Sequence, residues 1–215
     1  MVENHLFLKV SGVIYLALMT NFLMVATSLP LVVLLLATDP TGTWPFVAVA
    51  AVAAAPSLPA TFSTFARYSD AGDVAVVRNY FRAWRRHAVR AWQIGALTVA
   101  LCTVLAVDIA WAFGHEVGAV AIPVFATLIA LVAGVALGGL VAVTERPELR
   151  LAALARAATF LMAKRWYLTL MSLAAFVVLL AITAERPAIG LGVVAAPLLY
   201  LVWANTRFTL RPILT

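Results

Sequence analysis

Charge is scarce in this chain. Asp, Glu, Lys and Arg make up 11% of its 215 residues, where a soluble domain carries about a quarter. A surface facing water on every side cannot be assembled from so few charges, so the composition calls for an apolar solvent. Cysteine is nearly absent too. Cys102 stands alone inside an apolar run, which excludes an intrachain disulfide and offers no metal-ligand spacing; it reads as a small buried hydrophobe. The three histidines, His5, His87 and His115, are dispersed. There is no Gly-rich phosphate cradle, no metal-ligand cluster and no closely spaced carboxylate pair within a span. Nothing points to an enzyme or a cofactor.

What the chain does have is length in its apolar runs, with 65% of residues hydrophobic. A helix crossing about 30 Å of hydrocarbon needs about 20 apolar residues. Six runs meet or approach that length, at residues 10–37, 44–66, 91–113, 117–143, 166–184 and 188–205. None shows the period-2 alternation of barrel strands, and lipid tolerates only helices or closed barrels. The expected fold is all-α, a polytopic membrane helix bundle of about six spans in one integral membrane domain. Polar residues precede the first run (Glu3, Asn4, His5, Lys9), and that run is longer than a signal-peptide core and lacks a small-residue cleavage site. It is read as a retained span. No internal repeat is evident: Glu-Arg-Pro recurs at 145–147 and 185–187, but on opposite sides of the membrane.

The basic residues are placed unevenly. Fourteen of the fifteen Lys and Arg fall at the termini or in the two long connections, residues 67–90 and 144–165; Arg186 is the exception. Under the positive-inside rule, both termini and both long loops face the cytoplasm, and six spans require the same. Arg outnumbers Lys 13 to 2 and Ala and Val abound, the usage of a GC-rich bacterial genome. The expected location is therefore the bacterial cytoplasmic (inner) membrane.

Residues 73–92 carry an amphipathic pattern. Val74, Val77, Phe81, Trp84, Ala88 and Ala91 recur at spacings of three or four, with Arg78, Arg82, Arg85, Arg86 and Arg90 mostly opposite, which predicts a helix. Asp73 after Gly72 is the expected N-cap. Such a cytoplasmic helix between the second and third spans would lie in the interface, Phe81 and Trp84 buried and its arginines near lipid phosphates. Arg78, Phe81, Arg82, Trp84, Arg85 and Arg86 are therefore candidates for contact with lipid or a partner. A nucleic-acid role is not needed to explain them. The second loop repeats the theme with Leu149, Leu151, Leu154, Ala158 and Leu161, and Pro147 is placed to start a helix.

Within the spans, Pro30, Pro56 and Pro59 predict kinks or discontinuous helices. Asn21, Thr61, Ser63, Thr64, Gln93 and Asn205 are expected to hydrogen-bond between helices. Asp108 is the one acidic residue well inside a span, placed by helical rise about 27 Å beyond Arg90, near the outer rim with His115 and Glu116. Gly134 and Gly138 give a small-xxx-small spacing for close packing, within the chain or against a partner.

Several of these features are shared with a known family. Asn21 in the first span, Pro59, Ala60 and Thr61 in the second, the acidic turn Gly72 and Asp73, and the aromatic–basic stretch from Asn79 to Arg86 with Phe81 at its centre resemble the YesL-like family of small bacterial multi-pass membrane proteins. Asp108 corresponds to an acidic residue late in that family's third span. Trp92 departs from it, standing where a polar residue is common. The resemblance implies a non-enzymatic accessory role beside a carbohydrate ABC importer, with its permease subunits and membrane lipids as partners, and carries over no catalytic residue. The residues alone leave two alternatives: a stand-alone small-solute transporter or channel, from the prolines, and a lipid-surface scaffold, from the arginines.

The orientation is directly testable. In a Cys102→Ala background, Ser69→Cys is expected to react with an impermeant maleimide only after the cytoplasmic membrane is opened, and Gly114→Cys in intact spheroplasts. The reverse pattern overturns the assignment.

Overall fold

The computed structural model describes residues 2–214, and the side chains of residues 10–212 except 40, 41 and 187. The side chain of Lys9, one of the positive charges in the pattern above, lies outside these. The chain is 90% helical, with no strand among the described residues, and six helical stretches are long and apolar enough to cross a membrane. It is a multi-pass membrane protein.

The first two spans are broken rather than continuous. The run expected at 10–37 forms α1 (Val2–Thr27) and α2 (Leu29–Ala37), separated at Ser28 with φ −106° and ψ 16°. Pro30 sits in the first turn of α2, where its missing N–H costs nothing. The run expected at 44–66 forms α3 (Pro40–Ala54) and α4 (Ser57–Ala71), with Pro56 in the break and Pro59 in the first turn of α4. Carbonyls freed at a break have no water to bond in hydrocarbon. Ser57 Oγ takes one, donating to Ala54 O at 2.7 Å, and beside the other break Thr27 Oγ1 adds a second donor to Leu23 O at 2.9 Å. The breaks abut one another, Ser28 Oγ donating to Ser57 Oγ at 3.2 Å. Gly95 allows the third span to pass close by, since a Cβ there would lie 2.7 Å from that of Ala55.

The third span belongs to α5 (Val76–Ala112), an uninterrupted helix of 37 residues and about 55 Å. The amphipathic segment expected between the second and third spans is its first half, continuous with the span and not a separate helix lying along the interface. No proline occurs between Val76 and Ala112 to part the two. The fourth span is α6 (Gly118–Glu145), followed by α7 (Leu151–Lys164) and α8 (Trp166–Glu185). Pro147 lies in the turn ahead of α7 rather than in its first turn. The last span is α9 (Pro187–Ile189), a π-helical turn (Gly190–Val194) and α10 (Ala195–Leu214). Asn21 closes part of that irregularity, its Nδ2 donating to Gly192 O at 2.8 Å.

The core lies toward the end of the bundle that carries the arginines. Phe62 and Phe65 of α4, Tyr80 of α5, Val141 and Val143 of α6, Leu154 of α7, and Leu199, Val202 and Leu210 of α10 are buried there. Phe65 meets Tyr200 edge-on, ring centroids 5.4 Å apart. A nearly all-apolar cavity of about 380 Å³ opens beside the two breaks, between Leu31, Ala55, Gly95, Phe176 and Leu199.

The small-residue spacing on α6 is used within the chain. A Cβ on Gly134 would lie 3.2 Å from Thr169 Cγ2, and one on Gly138 would lie 2.7 Å from Met162 Sδ and 3.3 Å from the Cβ of Ala158. These glycines seat α7 and the start of α8. Leu at 138 overpacks this contact and is expected to destabilise the detergent-solubilised protein by about 1–3 kcal/mol, with partial recovery on adding Met162→Ala. A Gly138→Leu protein that melts with the wild type would show that α7 does not pack here.

Candidate functional site at the basic end of the bundle

The site begins at the turn between α4 and α5. Gly72 ends α4 in the left-handed conformation, φ 62°, its N–H bonded to Tyr68 O, a geometry suited to glycine. Asp73 then organises the turn. Its Oδ1 accepts the Ala75 N–H at 2.9 Å, and its Oδ2 accepts Asn79 Nδ2 at 2.7 Å. Arg67 lies 3.9 Å away. The backbone bond to Ala75 foremost, then Asn79 and the nearby arginines, hold the Asp73 carboxyl below the usual aspartate range. Asp73 therefore nucleates the helix from within the turn, and Ala75 occupies the cap position expected of Asp73.

The buried face of α5 is not the most hydrophobic one. Val76, Asn79, Tyr80, Ala83, His87 and Ala91 turn inward. Of the predicted apolar face, Ala88 and Ala91 are buried and Trp84 is half-buried, while Val74, Val77 and Phe81 are exposed. Small side chains let helices approach closely and hydrogen-bonding ones find partners across the contact, so both gain by facing in. Tyr80 shows the gain: its hydroxyl lies 2.8 Å from Thr27 Oγ1, with Thr61 beside it. Thr64 differs from expectation, bonding Ala60 O of its own helix.

The five arginines of this segment divide into three groups. Arg78 and Arg85 share an outward stripe with Val74, Phe81, Val89 and Trp92. Arg90 Nη1 donates to Leu149 O at 3.2 Å, tying α5 to the loop before α7. Arg82 and Arg86, one turn apart, line a polar cavity of about 260 Å³ between α4, α5 and α6.

Arg207 of α10 closes one side of this region. Its Nη1 and Nη2 donate to the two carboxylate oxygens of Asp70 at 3.0 and 2.8 Å. Its Nε is 3.0 Å from Glu145 Oε1, a charge contact rather than an aligned hydrogen bond. The guanidinium also lies 5.2 Å over the Trp203 ring. One arginine thus joins the ends of α4, α6 and α10. Ser63, Arg67, Asn79, His87 and Thr144 line the cavity as well. It presents guanidinium, amide, imidazole and hydroxyl groups, which suits holding a polar or anionic group. No three His, Cys, Asp or Glu are grouped for a metal ion among the described residues.

The remaining predicted residues lie elsewhere. Pro30, Pro56 and Pro59 belong to the breaks, and Asn21 to the π-helical turn. Asp108 is half-buried near the far end of α5, and no hydrogen bond or ion pair joins it to His115 or Glu116 among the described residues. His115 instead stacks on Trp111 at 5.0 Å. Sequence reasoning missed Asp70, Asn79, Tyr80, His87, Glu145 and Arg207. One signal was available for three of these: charges of opposite sign end three different helices on the same side of the membrane. Comparison with models of known families, with characterised proteins and with solved structures finds no match.

Arg207→Ala leaves the half-buried Glu145 without its cation. The expected loss is about 1–3 kcal/mol, between the values for exposed and buried ion pairs. Glu145→Gln added to it is expected to restore part of the melting temperature by removing the stranded charge. No recovery would assign the loss to packing on Trp203 alone.

Proposed function

We propose that this protein is a non-enzymatic accessory subunit of a bacterial carbohydrate ABC importer. Its basic end faces the cytoplasm, and it docks on the permease through the outward stripe of α5. The observation that carries this reading is the composition of the stripe. Arg78, Phe81 and Arg85 alternate along one face, and Phe81 is left 42% exposed with Val74, Val89 and Trp92 in line with it. Arginine and aromatic side chains are the groups that anchor protein interfaces. The stripe runs from the turn at Asp73 to the start of the third span, so it offers a partner both a polar and a lipid-level contact. The identity of the partner rests on the resemblance of Asn21, Pro59, Thr61 and the stretch from Asn79 to Arg86 to the YesL-like family.

The abutting helix breaks favour a second reading, a stand-alone small-solute transporter. The cavity beside them has an almost wholly apolar wall, which gives a hydrophilic solute no path. Solute flux in liposomes holding only this protein would support it.

Affinity purification in mild detergent, with crosslinking, tests the docking reading. A permease or ATPase subunit is expected to copurify with the wild type and to be lost from an Arg78→Glu, Phe81→Ala, Arg85→Glu variant with an unchanged melting temperature. Absence of any importer subunit from the crosslinked wild type overturns it.

A further inference from the structure

The outward stripe makes no use of the polar cavity on the other side of α5. Three guanidinium groups, Arg67, Arg82 and Arg86, line it together with two carboxylates, Asp70 and Glu145. Both carboxylates are already engaged by Arg207. Arg82 and Arg86 have no carboxylate within ion-pair distance among the described residues. Positive charge is therefore in excess at the cavity wall, carried by two arginines at i and i+4, whose side chains emerge on the same face. Guanidinium forks match phosphoryl oxygens in pairs.

Asn79 adds a second requirement. Its Nδ2 is committed to Asp73 Oδ2, so the amide cannot turn over without losing that bond. Its Oδ1 is buried and has no hydrogen-bond partner. An unpaired buried acceptor is unfavourable unless something donates to it. Asn79 itself is 2% exposed and lines the same cavity as the arginines. Ser63, Thr144 and His87 add hydroxyl and imidazole groups to the wall. The complement of this set is an anionic group attached to a hydrogen-bond donor. The volume, about 260 Å³, exceeds that of a phosphate and leaves room for a short polyol.

We infer that the cavity between α4, α5 and α6 binds a phosphorylated polyol, its phosphoryl group on Arg82 and Arg86 and a hydroxyl donating to Asn79 Oδ1. A glycerophosphate is the smallest ligand of this kind. It can come from the headgroup of an anionic phospholipid such as phosphatidylglycerol, since the site lies at the basic end of a membrane bundle, or from a soluble metabolite.

The test uses the full-length purified protein. Its melting temperature is followed with glycerol 3-phosphate, inorganic phosphate or glycerol in detergent, and in nanodiscs of phosphatidylcholine with or without phosphatidylglycerol. Native mass spectrometry counts the lipid retained. Glycerol 3-phosphate is expected to raise the melting temperature more than phosphate, and glycerol to leave it unchanged. Arg82→Gln with Arg86→Gln is expected to weaken binding roughly tenfold or more, from lost charge-assisted hydrogen bonds. Arg78→Gln with Arg85→Gln removes the same charge from the outward stripe and is expected to bind as the wild type does. Stabilisation by phosphatidylglycerol, with lipid retained by the wild type and lost from the Arg82, Arg86 variant, assigns the lipid source. Stabilisation by glycerol 3-phosphate alone assigns the soluble one. Stabilisation by neither, equal effects of phosphate and glycerol 3-phosphate, or equal loss in the two arginine pairs overturns the inference. None of these results depends on whether an importer subunit copurifies.

Discussion

Inside hydrocarbon a backbone group that loses its helical partner finds no water to replace it, and the architecture of this chain follows from how each such loss is met. Most of the chain avoids the loss by staying helical. Where α1 gives way to α2 and α3 to α4, hydroxyls on Thr27 and Ser57 take carbonyls near the gaps. The π-helical turn is served from another helix, by Asn21. Placing two breaks side by side lets Ser28 and Ser57 bond to each other and brings Ala55 against Gly95. Thr27, next to one break, also bonds Tyr80, so the same repair reaches the inner face of α5. Proline here shapes the bundle by starting helices, and neighbouring side chains make each new start tolerable.

The same scarcity of water sorts the polar side chains. Ion pairs and charge-assisted hydrogen bonds gather at one end, where Arg207 holds Asp70 and Glu145 and Asp73 holds Asn79. Apolar volume is left open deeper in the bundle, in the cavity beside the breaks. A ligand recognised by charge belongs at the basic end, and the outward stripe and polar cavity both begin within two turns of Asp73. They share a helix without sharing side chains: Arg78, Phe81 and Arg85 face out, while Arg82 and Arg86 border the cavity.

Much of the fold was legible because hydropathy and helix length are properties of a continuous segment. All six spans are present near their expected positions, and Asn21 makes the interhelical bond expected of it. The orientation of α5 was not legible. The pattern through Val74, Val77 and Phe81 is the more hydrophobic, and in water it would turn inward. At this helix contact small size and hydrogen bonding decide which face packs. Asn79, Tyr80 and His87 therefore face the core. Asp73 was legible as a helix-starting residue, although it acts from the turn.

The sequence by itself determined an all-helical chain of six spans with its basic residues toward alternate segment ends. Backbone desolvation and the cost of charge in lipid act on each segment whatever surrounds it. Only the tertiary structure decided which face of α5 is buried, that the two breaks meet, and that Arg207 reaches Asp70 across 137 positions of sequence. Those outcomes depend on which helices become neighbours, and a hydrogen bond between distant segments leaves no periodic trace in either one.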